Sequence, residues 1–133
     1  MSASGGSGRV EMAADFSRRF AQYWSAPTPE RLDTVLAERV RLVAPMTPVT
    51  DTLADGKRTF ATLLDQIPDL TAEVHRWGAT ADGVLIEFTL SGTAGESRVS
   101  WTAVDRFVLG EDGLATERVS YFDPASIQSS SPT

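Results

Sequence analysis

Residues 84–122 read VLIEFTLSGTAGESRVSWTAVDRFVLGEDGLATERVSYF. Val84, Ile86, Phe88 and Leu90 alternate with Leu85, Glu87, Thr89 and Ser91. A period of two is that of a strand with one buried face. In residues 99–109, Val99, Trp101, Ala103, Asp105, Phe107 and Leu109 share one face, and Ser100, Thr102, Val104, Arg106 and Val108 share the other. Residues 71–77 precede these as a strand and 114–122 follow as the last. The connections at 79–83, 92–96 and 110–113 are short, so neighbouring strands should be antiparallel.

Upstream of Thr71 the period is that of a helix. Ala13, Phe16, Phe20, Tyr23 and Trp24 recur at three- and four-residue spacing on one face, and Ala26-Pro27 ends this element. Thr28-Pro29-Glu30 opens a second helix, with a cap, a proline suited to the first turn and an acid at the positive dipole end. Leu32, Val35 and Leu36 are its buried side. Val40 and Leu42 mark a short strand, residues 45–51 a loop and Asp55-Gly56 a turn. Phe60, Leu63, Leu64 and Ile67 mark a third helix, stopped by Pro68. Helices followed by antiparallel strands imply an α+β domain. Because a long sheet twists, the expected form is a cone-shaped barrel, a curved antiparallel sheet wrapped around three N-terminal helices.

The chain has 133 residues, 41% of them hydrophobic, enough for one domain with its own core. The domain is expected over 9–124, with a flexible leader at 1–8 and a flexible tail at 125–133. There is no cysteine, which excludes disulfides, a Cys-based zinc site and a thiol nucleophile. A net charge of −6 gives no footprint for nucleic acid or an anionic membrane. The leader has no apolar run of the signal-peptide kind, so a cytoplasmic setting is expected. His75 is the only histidine and stands beside Arg76, which suits a surface position better than a metal site. Neither a Gly-rich phosphate loop nor a Gly-x-Ser-x-Gly elbow occurs, and no cofactor or metal is expected.

Asp105 is the one charge on the apolar face of its strand. A carboxylate there needs a partner or a proton. Pairing Leu109 with Leu114 across the Gly110–Gly113 turn sets Asp105 opposite Arg118, with Ser120 and Phe122 also inward. On this register Arg118 should hold Asp105 ionised. Asp105, Arg118 and Ser120 are the candidate catalytic residues. Phe20, Trp24, Phe60, Phe88, Trp101 and Phe122 are the candidate lining of an apolar pocket.

The element order, together with RRFAQYW, AERVRLVAP, IEFTLSG, VDRF and DGLATERVSYFDP, resembles the SnoaL-like branch of the nuclear transport factor 2 (NTF2) superfamily over about residues 12–124. The resemblance implies a fold that hosts isomerases, cyclases, hydrolases, dehydratases and non-catalytic binding modules. Aligned with ketosteroid isomerases, their general-base Asp falls on Ala44, their oxyanion Tyr on Phe20 and their protonated oxyanion Asp on Asp105. Aligned with limonene-epoxide hydrolases, the Asp-Arg-Asp site falls on Ser120, Ile86 and Phe88. Two readings follow. One is an acid–base enzyme of isomerase, cyclase or lyase type with an altered site, acting on a small hydrophobic molecule bearing a carbonyl or hydroxyl. The other is a non-catalytic ligand-binding or dimerisation module. Dimeric relatives imply a homodimer through the outer sheet face, which should carry Glu87, Thr89, Ser100, Thr102, Val104, Val119 and Tyr121.

Overall fold

The computed structural model describes residues 3–130, with side chains for 8–127. Helix α1 spans Ala3–Ser25, so helix also covers part of the expected leader; residues 1–2 of the leader and 131–133 of the tail lie outside the described residues. The stripe read from the spacing is buried: Ala13 and Phe16 are fully inaccessible, and Phe20, Tyr23 and Trp24 nearly so. Its apolar face lies against the sheet, Phe16 on Phe107 and Phe20 on Phe88.

The expected second helix is a single 3-10 turn, Glu30–Thr34. Its N-cap is Pro29 rather than the expected Thr28, whose Oγ1 nevertheless accepts from the Arg31 amide at 3.2 Å. Five residues are too few to complete an α-helix, and Leu36 already belongs to strand β1, Leu36–Val43. Strand β2, Thr50–Thr52, leads into α2, Leu53–Gln66, whose start is capped by the Thr52 hydroxyl accepting from the Asp55 amide. Asp55-Gly56 therefore lies inside α2. A Cβ on Gly56 would come within 2.6 Å of Leu42 Cδ1, so glycine serves a close helix–strand approach here and not a turn. Among the described residues the domain holds two α-helices and one 3-10 turn near β1, where three helices were expected.

The long strands are β3 (Thr71–Ala79), β4 (Gly83–Ala94), β5 (Ser97–Leu109) and β6 (Ala115–Tyr121). β4 and β5 pair without a break from Gly83↔Val108 to Ala94↔Ser97. Their loop is a two-residue turn with Gly95 at φ 62°, tighter than the expected 92–96 loop. Across the sheet the order is β2-β1-β6-β5-β4-β3, leaving β2 and β3 as open edges. The β1–β6 pairing is parallel, so the curved sheet is mixed where an antiparallel one was expected. The reason is topological: β1 and β6 are distant in sequence and meet only because the sheet wraps back over the helices. In the expected tail, the segment after the short Pro124–Ser126 turn forms β7, Gln128–Ser130, which pairs with β5 at Arg98–Ser100. No described helix is long and apolar enough to cross a membrane.

Two glycines test this packing. A Cβ on Gly83 would lie 1.8 Å from the Phe107 carbonyl oxygen, whereas one on Gly78 would meet nothing within 4 Å. Gly83→Ala should lower stability by roughly 1–3 kcal/mol or more through overpacking against β5. Gly78→Ala should be neutral or slightly stabilising. Urea unfolding of the two variants beside the native protein checks the contrast, and equal effects would contradict the β4–β5 register.

Candidate functional site

Ile86, Asp105 and Ser120 form one row across β4, β5 and β6, all facing the helices. Asp105 is 4% exposed and Ser120 9%. The residue opposite Asp105 is therefore Ser120, and Arg118 stands opposite Phe107. The expected register is corrected by two residues. Its cause is the turn: the Gly110 amide donates to the Leu114 carbonyl at 2.9 Å, and the Leu114 amide donates to Asp112 Oδ1 at 3.0 Å. Leu114 thus closes the loop, and a bulge between Val108 and Leu109 sets the pairs beyond. A shift of two keeps every side chain on its face, so Arg118 still belongs with Asp105 and Ser120 on the inner one.

The expected ion pair does not form. Among the described residues Arg118 is in no salt bridge. Asp105 Oδ1 and Arg118 Nε are both buried without a hydrogen-bond partner. Burial is the largest influence on Asp105 and pushes its carboxyl pKa up, against opposing pulls from the Arg118 charge and the Ser120 hydroxyl. The expectation that the guanidinium would win is overturned, because without a direct contact it does not offset the lost hydration.

The aromatics of the interior pack on one another. Phe20 meets Phe88 edge-on at 5.0 Å, and Trp24 meets Phe60 edge-on at 5.5 Å. Phe20 and Phe88 are buried and fill the interior against each other, and Trp24 is 8% exposed. Trp101 and Phe122 make a separate pair at 6.3 Å. With Phe60, Leu63 and Leu64 of α2, they are half-buried and packed on the core, so they bound it toward solvent. Helix α2 rests on β1, β2 and the 3-10 turn.

One inner-face group was not anticipated. Ser17 is 4% exposed, and its hydroxyl is buried without a partner. Its place between Ala13 and Phe20 on the helical stripe is the signal that predicts burial. Ala44, just past β1, is half-buried and carries no ionisable group. His75 is exposed on the outer face, with Nε2 2.6 Å from Thr89 Oγ1. Among the described residues no cluster of His, Asp and Glu could hold a metal.

None of the expected pocket residues lines either of two surface concavities; the one of about 630 Å³ lies between the start of α1 and the β5–β6 turn. It is open and lined by Arg9, Glu11, Asp15, Glu111 and Asp112, and Asp15 is already paired with Arg18 and Arg19. Unpartnered buried polar atoms mark the inner face as the better candidate.

The raised pKa of Asp105 predicts how stability depends on pH. Above the ordinary carboxylate value of 3.8 the unfolded chain gives up a proton that the native protein still holds. The contribution of this group therefore falls as pH rises from that value toward the folded pKa, and is untouched below it. Asp105→Asn should be more stable than the native protein at pH 8 by on the order of 1–3 kcal/mol, the usual cost of an unsatisfied buried polar group. The difference should shrink toward zero near pH 3. Urea unfolding at the two pH values measures it, and a pH-independent difference would contradict the assignment.

A family model described as the SnoaL-like domain matches residues 17–118. No protein of curated function matches the chain. Three solved structures illustrate the likeness in fold. A Mycobacterium tuberculosis LEH-like epoxide hydrolase is 18% identical, with a TM-score of 0.73 over 88% of this chain and 86% of that one. A Catenulispora acidiphila protein of ketosteroid isomerase-like fold, solved with trimethylamine, is 15% identical, with a TM-score of 0.75 over 84% and 87%. SalBIII, an epoxide hydrolase/cyclase-like enzyme of pyran ring formation in salinomycin, is 17% identical, with a TM-score of 0.70 over 92% and 95%. At these identities the structures speak for fold alone, while the family model covers most of the domain, and on it the chain belongs to the SnoaL-like domain family.

Proposed function

We propose that the inner face binds a small, mostly apolar molecule bearing a carbonyl or hydroxyl, and that Asp105 donates a hydrogen bond or proton to its oxygen. One observation carries this reading: a buried carboxyl, pushed toward its protonated form, with one oxygen unpartnered among aromatic side chains. Apolar sites with a few converging polar groups are the usual form of small-molecule sites. Arg118 would steady negative charge developing on that oxygen, and Ser120 would orient the carboxyl. Phe60, Trp101 and Phe122 would contact the apolar part from the solvent side, with Phe20, Trp24 and Phe88 behind them. Relatives by fold include an epoxide hydrolase and an enzyme of pyran ring formation. An acid group aimed at an oxygen suits chemistry of that kind, here of isomerase, cyclase or lyase type.

Ala44 favours a second reading. With no ionisable group at the position the isomerase alignment gives to the base, the site would bind without turning its ligand over. Screening oxygenated terpenoids and aromatic ketones by quenching of tryptophan fluorescence, followed by product analysis of the binders, separates the two. On the enzyme reading Asp105→Asn lowers kcat by about 10²- to 10⁴-fold while leaving binding within a few-fold. Binders that emerge unchanged support the module. A screen with no binder overturns both.

We further propose a homodimer through the outer sheet face. Leu85 and Tyr121 are 40% and 53% exposed there, beside half-buried Val104 and Val119. Sedimentation at high micromolar concentration should give twice the 14.3 kDa chain mass, and Tyr121→Asp should return the monomer. A native monomer would contradict the assembly.

A further inference from the structure

The inner face presents two polar groups of different kinds. Asp105 is an acid with a buried, unpartnered oxygen. Arg118 is a permanent cation, half-buried, with a buried, unpartnered Nε and no carboxylate in contact with it among the described residues. The two are diagonal neighbours across the β5–β6 pairing, each facing the helices. A guanidinium held this way lacks the counter-charge that half-buried ions normally find.

We propose that the molecule held at this face is a hydrophobic carboxylate, its two oxygens lying against the unpartnered polar atoms of Arg118 and of the Asp105 carboxyl. The proposal rests on the inner-face reading above and narrows its ligand from any oxygenated hydrophobe to an organic anion. A carboxylate supplies what both residues lack. Its charge compensates Arg118, a charge-assisted contact roughly twice as strong as a neutral one. Its second oxygen lies against the unpartnered oxygen of the Asp105 carboxyl, where a shared proton would join the two. The upward push on the Asp105 pKa suits a donor, and a neighbouring anion would reinforce it. A phosphate fits less well, since a single half-buried cation would face a doubly charged group that is costly to desolvate. A neutral ketone satisfies Asp105 but leaves Arg118 uncompensated. The net charge of −6 repels anions at long range, so a preference for one has to arise at the site itself.

The test compares two probes of similar shape, 2-naphthoate and neutral 2-acetonaphthone, by calorimetry at pH 7. Naphthoate should bind at least about tenfold more tightly than the ketone. Arg118→Met should erase that preference, and Arg118→Lys should keep part of it. If Arg118→Met does not fold, the native protein decides: naphthoate should shift the Arg118 side-chain Nε–H resonance in a nitrogen-15 spectrum, and the ketone should not. Ketone binding as tight as naphthoate binding, or a preference that survives Arg118→Met, overturns the carboxylate proposal and leaves the inner-face reading standing. Binding of neither probe or of any oxygenated hydrophobe overturns both.

Discussion

The aromatic seam between α1 and the inner face of the sheet is the contact on which the rest depends. Phe16 lies 4.6 Å from Phe107, and Phe20 meets Phe107 and Phe88 edge-on at 5.6 and 5.0 Å. These rings bury a large apolar area at low entropic cost. They also fix which face of β4 and β5 turns inward. Once Phe107 and Ala103 are committed to the helices, strand parity commits Asp105 with them, since it lies between the two at a spacing of two residues. The buried carboxyl is thus a consequence of the seam.

Register on the other side of Asp105 depends on the five-residue loop 110–114 and on the groups that hold it. Arg19 donates from Nη2 to the Gly113 carbonyl at 2.8 Å and from Nη1 to the Thr34 carbonyl at 2.9 Å, with its Nε on Asp15 at 2.9 Å. One side chain of α1 thereby ties together the helix, the 3-10 turn and the β5–β6 loop. The loop position determines that Ser120, a weak neutral partner, faces Asp105, while Arg118 stands one inward position away. A hydroxyl does not compensate a carboxylate as a guanidinium in contact would. Those few hydrogen bonds decide that Asp105 faces a hydroxyl rather than closing an ion pair with Arg118.

The positions that the limonene-epoxide hydrolase alignment picks out, Ser120, Ile86 and Phe88, all face inward here, and two of them flank Asp105 directly. The residues at those positions are not an Asp-Arg-Asp set, and Asp105, Arg118 and Ser120 are polar groups that face inward here.

Much of the fold could be read without coordinates. The α1 stripe, the long β4–β5 hairpin and the inward set Val84, Ile86, Phe88, Asp105 and Phe107 follow from periods of 3.6 and 2, because burial on one face leaves a repeating trace in the residues themselves. Asp105 stood out for the same reason, as the one charge in an apolar row. Other features leave no such trace. A 3-10 turn and an α-helix share the same cap and apolar spacing over five residues. The Asp-Gly pair that suggests a turn sits inside α2, where the glycine admits the close approach of Leu42 from β1. The parallel β1–β6 pairing joins segments more than seventy residues apart, and local alternation says nothing of which strands meet. The register of Asp105 was open to a two-residue shift because hydrophobic parity is blind to even shifts; only the hydrogen bonds of the 110–114 loop, braced by Arg19, select Ser120 as its neighbour and leave the carboxyl without a charged partner in contact.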